Sequence, residues 1–293
     1  MGVLFAMGSR QSPTFAAFEG GLRALGYVDG QTVAIEFRNA EGRLDRLPEL
    51  VGELLAARVD VIVTAAEGAL AARAASTTTP IVLFLSADPV AAGLVHSLAR
   101  PGGNVTGLTM LSPGAATRRM ALVRDTVPAA KTVVALWHPG PLLEAALAES
   151  TAAASALGMT LQPVPIRAAA DVEPAFAEID RIRPEAVLVL GDPVTVGQRA
   201  PIVASATRRR LPVFSDRREF ADAGAVVTYG ANIPDLFRRA AGHTDKVLKG
   251  AKPSELPVET PVKFDLGVNL KAATALGVAV PPALLSTADH VIR

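Results

Sequence analysis

The residues that could contact a ligand follow short apolar runs of the chain, and in its first part most of them are small or hydroxylated. They are Gly8, Ser9 and Ser12, then Thr64, Ala65, Ala66 and Glu67, and finally Ser86 and Asp88. Small residues leave backbone N–H groups accessible and hydroxyl groups add donors, so this set suits a carboxylate. Glu67 differs from the rest, because an acid at a helix start either complements the helix dipole or contacts the ligand.

The candidates in the second part of the chain are aromatic or acidic: Trp137, His138, Asp192, Asp216 and Tyr229. Asp192 could bind an ammonium group or only cap a helix, and Asp88, which precedes Pro89, has the same two options. Trp137 is the single tryptophan and could stack on a planar ligand or fill the top of a sheet. Tyr229 could line a cleft or pack at a hinge. Both kinds of role therefore stay open for each of these side chains.

Signatures of catalysis and of metal or cofactor binding are missing from the sequence. It contains no cysteine, which excludes thiol nucleophiles, cysteine-bound zinc and iron–sulfur clusters. It has no Walker-type phosphate loop, no nucleophile elbow and no zinc-protease helix motif. The loop Gly8-Ser9-Arg10-Gln11-Ser12 lacks the second and third glycines of a dinucleotide-binding turn. These absences narrow the classes of enzyme that remain, and we expect no cofactor and no metal site.

The length and the charge balance narrow the class of protein further. With 293 residues the chain can form two domains, each with its own core. Its 29 basic and 28 acidic side chains give a formal net charge of +1, which provides no general attraction for nucleic acid. No uninterrupted apolar run reaches the roughly 18 residues that indicate a membrane span. The expected partner is a small molecule and not nucleic acid.

Short apolar or β-branched runs alternate with longer segments of helical period, which predicts parallel sheets flanked by helices. In the first part of the chain, strands are predicted at 3–7, 33–37, 61–64, 81–85 and 105–108. A helix is predicted to begin at Pro13, after the N-cap Ser12, and to end at Gly26. Its apolar face consists of Phe15, Phe18, Leu22 and Leu25. A second helix carries leucines at helical spacing between 47 and 55.

The same pattern restarts after Pro113. Strands are predicted at 132–137, 161–166, 186–190, 212–214 and 225–228. Helices are predicted through Met120 and Val123, and at 142–157, 172–182, 196–210 and 235–248. The predicted fold class is α/β, with two Rossmann-like lobes that each have a parallel central sheet of about five strands.

Several segments carry a family resemblance. Asp88-Pro89-Val90 is followed by Gly93-Leu94-Val95 and by the string Ser97-Leu98-Ala99-Arg100-Pro101-Gly102-Gly103-Asn104-Val105-Thr106-Gly107. Further motifs are Tyr229-Gly230, Asp245-Lys246-Val247-Leu248-Lys249-Gly250, Leu256-Pro257-Val258-Glu259 and Asn269-Leu270-Lys271. Over nearly the whole chain, these motifs resemble the substrate-binding proteins of ABC transporters of the TrpX type.

The resemblance implies a type I periplasmic-binding-protein fold, in which two lobes joined by three crossovers close on a small ligand. We expect lobe 1 to comprise 1–113 plus 230–260 and lobe 2 to comprise 114–229 plus 261–293. The resemblance also implies a periplasmic or other extracytoplasmic location, with the leader absent from this sequence. A membrane permease and its ATPase are the implied partners of a monomeric protein that is peripheral to the membrane.

With this resemblance we expect a solute-binding protein and not an enzyme. The implied ligand is an amino acid, including aromatic ones, or a related small carboxylate, bound between the lobes. By the same resemblance, the loops at Ser9, 64–67, Ser86 and Asp88 would contact it from lobe 1, and Trp137, Asp192, Asp216 and Tyr229 from lobe 2. One segment departs from the family. After the third strand the family usually has Gly-Thr-Pro-Ala, whereas this chain has Ala65-Ala66-Glu67-Gly68, and an acid there argues against a plain amino acid.

Two other classes of function compete with this interpretation. A ligand-sensing regulator of similar fold would need a DNA-binding helix-turn-helix before the first strand, and the sequence has none. An enzyme acting at the cleft would use Asp88 and Asp192 as an acid/base pair.

Overall fold

The computed structural model describes residues 1–86, 88–112 and 114–293. The predicted lobe boundary at Pro113 therefore lies outside the described residues. The chain forms two units, Met1–Leu111 with Asn232–Lys263 and Ser112–Ala231 with Phe264–Arg293. We call them unit 1 and unit 2. The chain passes from one unit to the other three times.

Strands and helices alternate along most of the chain. The strands are β1 (Gly2–Phe5), β2 (Glu36–Asn39), β3 (Ile62–Ala65), β4 (Ile81–Leu85), β5 (Val105–Gly107), β6 (Thr132–Trp137), β7 (Thr160–Pro165), β8 (Ala186–Val189), β9 (Val213–Ser215), β10 (Val227–Ala231), β11 (Phe264–Asn269) and β12 (His290–Ile292). The helices are α1 (Pro13–Ala24), α2 (Leu47–Ala56), α3 (Ala66–Ala75), α4 (Ala115–Thr126), α5 (Pro141–Ala156), α6 (Val172–Ile182), α7 (Pro193–Gly197), α8 (Arg199–Arg208), α9 (Glu219–Ala223), α10 (Ile233–Leu248), α11 (Leu270–Leu276) and α12 (Pro282–Ser286). The predicted α/β class is confirmed.

Unit 1 has a five-stranded parallel sheet in the order β2-β1-β3-β4-β5. Its three central strands are almost entirely buried, which matches their continuous apolar runs. The edge strand β2 begins three residues later than predicted. Val33 makes only an isolated bridge to Asp29, whereas Glu36 pairs with Gly2 of β1. Pairing with β1 therefore sets the register of this half-buried strand, and the apolar pattern does not.

Helix α1 forms as predicted, with one exception at its end. Ser12 Oγ accepts a hydrogen bond from the backbone N–H of Phe15 at 3.2 Å and caps the helix. Phe15, Phe18 and Leu22 are buried, but Leu25 is 44% exposed, so its predicted place on the core face is wrong. Leu25 follows the last helical residue and has left the helical conformation, which turns its side chain off that face.

A cluster of phenylalanine rings forms the centre of the unit 1 core and joins the sheet to α1 and α10. Phe84 of β4 stacks on Phe237 of α10, with ring centroids 4.2 Å apart. Phe5 meets Phe15, Phe84 and Phe237 edge-on. Edge-to-face and offset contacts of this kind add to the stabilisation from burial. The rings therefore pack β1 and β4 against α1 and α10.

Unit 2 has a seven-stranded sheet in the order β12-β11-β10-β9-β8-β6-β7, so the prediction of about five strands is too low for this unit. The two additional strands, β11 and β12, come from the carboxyl-terminal segment, and β11 runs antiparallel to β10. The helix predicted at 196–210 is two helices, because the chain leaves the helical conformation at Gln198. No helix within the described ranges is both long and apolar enough to cross a membrane.

Candidate functional site

The loop after β1 lies at the carboxyl edge of the unit 1 sheet and is fixed by its neighbours. The Gly8 carbonyl accepts a hydrogen bond from Asn39 Nδ2 at 2.7 Å, and the Ser9 carbonyl accepts one from the Ser12 N–H at 3.0 Å. Gly8 has φ +114°, which favours glycine. Gly8 and Ser9 are both exposed. The loop thus presents accessible backbone beside the start of α1.

The junction between β3 and α3 leaves a helix start without a side-chain cap. Ala65 occupies the N-cap position and offers no acceptor, so no side chain caps the first N–H groups of α3. Thr64 is fully buried, and its hydroxyl donates to the Leu4 carbonyl at 2.9 Å. A Cβ on Gly68 would lie 2.0 Å from Thr64 Oγ1, so the junction requires glycine there. Half-buried Glu67 lies in the first turn, where its charge complements the dipole.

Ser86 follows β4, at the same carboxyl edge of the unit 1 sheet as the start of α3. Its carbonyl accepts hydrogen bonds from Thr109 Oγ1 at 2.8 Å and from the Met110 N–H at 2.6 Å. Its hydroxyl is buried and has no hydrogen-bond partner among the described residues. β3 and β4 are adjacent in the sheet. Ser86, directly after β4, therefore follows the strand next to the one that leads into the uncapped start of α3.

Asp88 caps a turn, not the predicted helix. Its Oδ1 accepts hydrogen bonds from the N–H groups of Val90 at 2.9 Å and Ala91 at 3.0 Å. The chain then turns back at Gly93, whose N–H bonds to the Val90 carbonyl and whose φ is +68°. A helix cannot continue through that conformation, so the residues after Asp88 form turns.

At the carboxyl edge of the unit 2 sheet, His138 and Asp192 form an ion pair or hydrogen bond. His138 follows β6 and Asp192 follows the adjacent β8, and His138 Nδ1 lies 2.9 Å from Asp192 Oδ2. Asp192 is also the N-cap of α7, because its Oδ1 accepts from the Thr195 N–H at 2.7 Å and from Thr195 Oγ1 at 2.9 Å. Both Asp192 oxygens are therefore engaged, and the side chain is only 8% exposed.

Three further residues lie at the same carboxyl edge as His138 and Asp192, namely Asp216, Gly191 and Gly230. We call the polar side chains along this edge the acidic row. Asp216 Oδ1 accepts a hydrogen bond from the Gly191 N–H at 2.8 Å, which joins the loops after β8 and β9. A Cβ on Gly230 would lie 1.9 Å from the Asp216 carbonyl oxygen, so the loop crosses β10 at a position that only glycine can occupy. The predicted site residues of unit 2 thus converge on one edge.

Arg217 belongs to the same row and was missed by the sequence analysis. Its stem crosses Gly191, and its Nη2 donates to Glu219 Oε1 at 2.7 Å. Burial by itself would lower the pKa of Arg217, but the carboxylates of Glu219, Asp216 and Asp192 raise the pKa above its ordinary value. Burial likewise raises the pKa of Glu219, and Arg217 more than reverses that change. The only sequence signal was the position of Arg217 directly after Asp216.

The two aromatic candidates of unit 2 lie on β6 and β10. Trp137 ends β6 half-buried, and its indole Nε1 is buried without a hydrogen-bond partner in the described ranges. Tyr229 lies in the middle of β10, where its ring stacks on Phe264 with centroids 5.7 Å apart. Its carbonyl faces Arg119 Nη1 at 3.5 Å. Tyr229 therefore has a packing partner within its own unit.

The candidate residues form two groups, each at the carboxyl edge of its own sheet, which is where open α/β sheets bind ligands. In the described part of the chain, no group of three or more histidine and acidic side chains is arranged to hold a metal ion. The arrangement offers N–H and hydroxyl donors in unit 1 and a mainly acidic row in unit 2. Each edge by itself therefore offers groups that suit a small polar molecule.

The sequence model of the ABC transporter substrate binding protein family matches residues 10–292, in agreement with this fold. The chain belongs to that family, and the resemblance found in its motifs is confirmed. The family consists of substrate-binding proteins and not of enzymes.

Three relatives illustrate the family. A tyrosine-binding protein of Clostridioides difficile is 26% identical over 267 residues, which cover 89% of this chain and 76% of the relative. A crystal structure from Streptococcus pneumoniae, an ABC domain in complex with L-Trp, is 26% identical with a TM-score of 0.94 and covers 99% of this chain and 98% of its own. A conserved domain protein of Vibrio cholerae has the same identity and coverage with a TM-score of 0.92.

Proposed function

We propose that the protein is the ligand-binding component of an ABC importer and that its ligand is an amino acid with an aromatic side chain. Family membership supports the first half of the proposal. The second half is supported by two relatives, one described as tyrosine-binding and one crystallised with L-Trp. Both molecules are α-amino acids, so a site for either needs donors for a carboxylate and acceptors for an ammonium group.

The observation that carries the proposal is the edge of unit 1. The uncapped start of α3 presents backbone N–H groups and the positive end of the helix dipole. The unpartnered hydroxyl of Ser86 follows the adjacent strand. Together they are donors for a carboxylate, and Ser86 would gain a hydrogen bond that the fold does not supply. The first-turn position of Glu67 supports a role in complementing the helix dipole.

The acidic row of unit 2 supplies the complementary chemistry. The Arg217 guanidinium bonds to Glu219, and the carboxyl groups of Asp216 and Asp192 act on it electrostatically. Asp192 has both oxygens bonded within the fold, so Asp216 is the better candidate to receive a ligand ammonium.

The bonds of Asp88 and Asp192 favour binding over catalysis. A general acid or base needs a carboxyl group that can reach a reacting atom. Asp88 caps a turn, and Asp192 caps α7 while bonded to His138. We therefore expect no turnover of a bound amino acid. The extracytoplasmic location, the permease and ATPase partners, and the monomeric state follow in this proposal from the role in import.

The direct test is calorimetric titration with the twenty amino acids. Any co-purified ligand is first removed by unfolding in guanidinium chloride and refolding, with mass spectrometry of the released fraction. We expect tyrosine or tryptophan to bind with a dissociation constant of micromolar or below, about 8 kcal/mol. Binding of a different class, with none from the aromatic amino acids, would overturn the proposed ligand while leaving the binding role intact.

A further inference from the structure

The contact between His138 and Asp192 decides which nitrogen of the imidazole can accept a hydrogen bond. An ionised carboxylate only accepts, so the 2.9 Å contact between Nδ1 and Oδ2 requires the proton on Nδ1. In a neutral imidazole the other nitrogen, Nε2, is then an acceptor with a free lone pair. Nε2 has no hydrogen-bond partner among the described residues, and the His138 side chain remains 28% exposed.

Hydrogen bonds from Thr195 fix the orientation of the Asp192 carboxyl group. Its Oδ1 accepts a hydrogen bond from the Thr195 N–H at 2.7 Å. Thr195 Oγ1 lies 2.9 Å from both Asp192 Oδ1 and the Leu190 carbonyl oxygen, which share its one proton. The carboxyl plane is therefore fixed by the start of α7, and Oδ2 is left facing the imidazole. Such an outer partner commonly fixes the tautomer of a histidine.

We infer that His138 Nε2 is a ligand contact that selects amino acids whose side-chain ring carries a hydrogen-bond donor, with Asp192 as its positioning residue. This inference rests on the proposed function. It is supported by a property that the two named ligands share: tyrosine carries a phenol O–H and tryptophan an indole N–H, whereas phenylalanine has neither. A site that accepts a hydrogen bond from the ligand discriminates against an analogue that lacks the donor, because the acceptor then stays unpaired.

The ligand test compares tyrosine, tryptophan and phenylalanine on the wild type and on His138→Phe, which keeps a ring of similar size without the acceptor. We expect the wild type to bind tyrosine and tryptophan at least about tenfold more tightly than phenylalanine. The variant should lose most of that preference and bind phenylalanine within about threefold of the wild type. Equal losses for all three ligands would mean that Nε2 contacts the shared amino acid group, and this would overturn the inference.

The tautomer test does not depend on any ligand. Asp192→Asn keeps an oxygen for the Thr195 cap and turns an amide N–H₂ toward Nδ1, which must then accept. We expect long-range ¹H–¹⁵N spectra of the full-length protein at pH 8 to show the proton on Nδ1 in the wild type and on Nε2 in the variant. The His138 signal is assigned by its loss in His138→Phe. A proton on Nε2 in the wild type would overturn the inference.

Asp192→Asn also has an expected effect on binding that a purely structural role would not produce. With the proton moved to Nε2, the imidazole becomes a donor toward the ligand, so tyrosine should bind at least about tenfold more weakly while phenylalanine changes little. The melting temperature should stay close to that of the wild type, since the cap is kept. If none of the three amino acids binds the wild type, the proposed ligand is wrong and the inference falls with it. If all three bind equally well, only the inference is wrong.

Discussion

The Cβ that Gly191 lacks would lie 2.0 Å from Cγ of Arg217. The stem of Arg217 therefore crosses the backbone after β8, while its Nη2 bonds to Glu219. Gly191 also donates its N–H to Asp216. A single missing side chain thus lets the loops after β8 and β9 pack against each other at the candidate site.

We expect Gly191→Ala to destabilise the protein by about 1–3 kcal/mol, because the clash involves the stem of a largely buried side chain and not its mobile end. Differential scanning calorimetry and ligand titration of the variant measure the two consequences, a lower melting temperature and weaker binding. Gly52→Ala is the matched control, since a Cβ at this helical position meets nothing within 4 Å. The control should be slightly more stable than the wild type. Equal melting temperatures for the wild type and Gly191→Ala would contradict the packing described.

Ser86→Ala is expected to lower ligand affinity about tenfold without lowering the melting temperature. The Ser86 hydroxyl makes no hydrogen bond with the described residues, so removing it breaks nothing in the ligand-free fold. Ser215→Ala provides the contrast, because the equally buried Ser215 hydroxyl donates to the Val189 carbonyl at 2.9 Å. That variant should lose about 1 kcal/mol of stability. Unchanged affinity in Ser86→Ala would remove this hydroxyl from the carboxylate site.

Acidification below about pH 6.5 should destabilise unit 1 through His243. Burial lowers the pKa of this imidazole below the value of about 6.5 of an exposed histidine, although the Pro257 carbonyl and the Glu259 carboxylate act in the opposite direction. Between the two pKa values the unfolded chain binds a proton that the folded chain does not, so stability rises with pH there. The contribution of His243 is complete above pH 6.5 and is lost as the pH falls toward the folded pKa.

The measurement is the melting temperature between pH 7 and pH 5 for the wild type and for His243→Gln, whose amide N–H can still reach the Pro257 carbonyl, as Nε2 does at 3.2 Å. The variant should show a shallower decrease than the wild type. His96→Gln, which removes an exposed histidine, is the control. Glu259 does not affect the comparison: burial raises its pKa, but Arg239, which is present in both proteins, contributes to a net pKa below the ordinary value of a glutamate, outside the pH window. Identical slopes in the wild type and His243→Gln would disprove this account.

Trp137 should report ligand binding by fluorescence, since it is the single tryptophan and ends β6 at the candidate edge. We expect titration with tyrosine to change its emission, with the same midpoint as calorimetry, and Trp137→Phe to lose the signal. If the indole also stacks on the ligand, Trp137→Ala should weaken binding by at least about 1 kcal/mol. Heat of binding without any change in emission would place the ligand away from β6.

Local sequence signals were sufficient for the elements whose apolar pattern coincides with their burial. The strands β4 and β6 and the helix α6 have the predicted bounds, because each consists of residues whose own pattern separates inside from outside. The cap at Ser12 was readable for the same reason, as the signal lies within four residues. The motifs also identified the family, whose model spans residues 10–292.

The tertiary structure determined the contacts between residues that are far apart in the sequence, because these contacts depend on which strands are neighbours. His138 and Asp192 are 54 positions apart in the sequence and meet because β6 pairs with β8. Arg217 is a candidate site residue only because its stem crosses Gly191 of another loop. The antiparallel β11 likewise depends on pairing with β10. The sequence alone determined which residues are apolar, capping or polar. Burial and strand pairing between distant segments determined which polar groups face each other, and those interactions leave no local pattern.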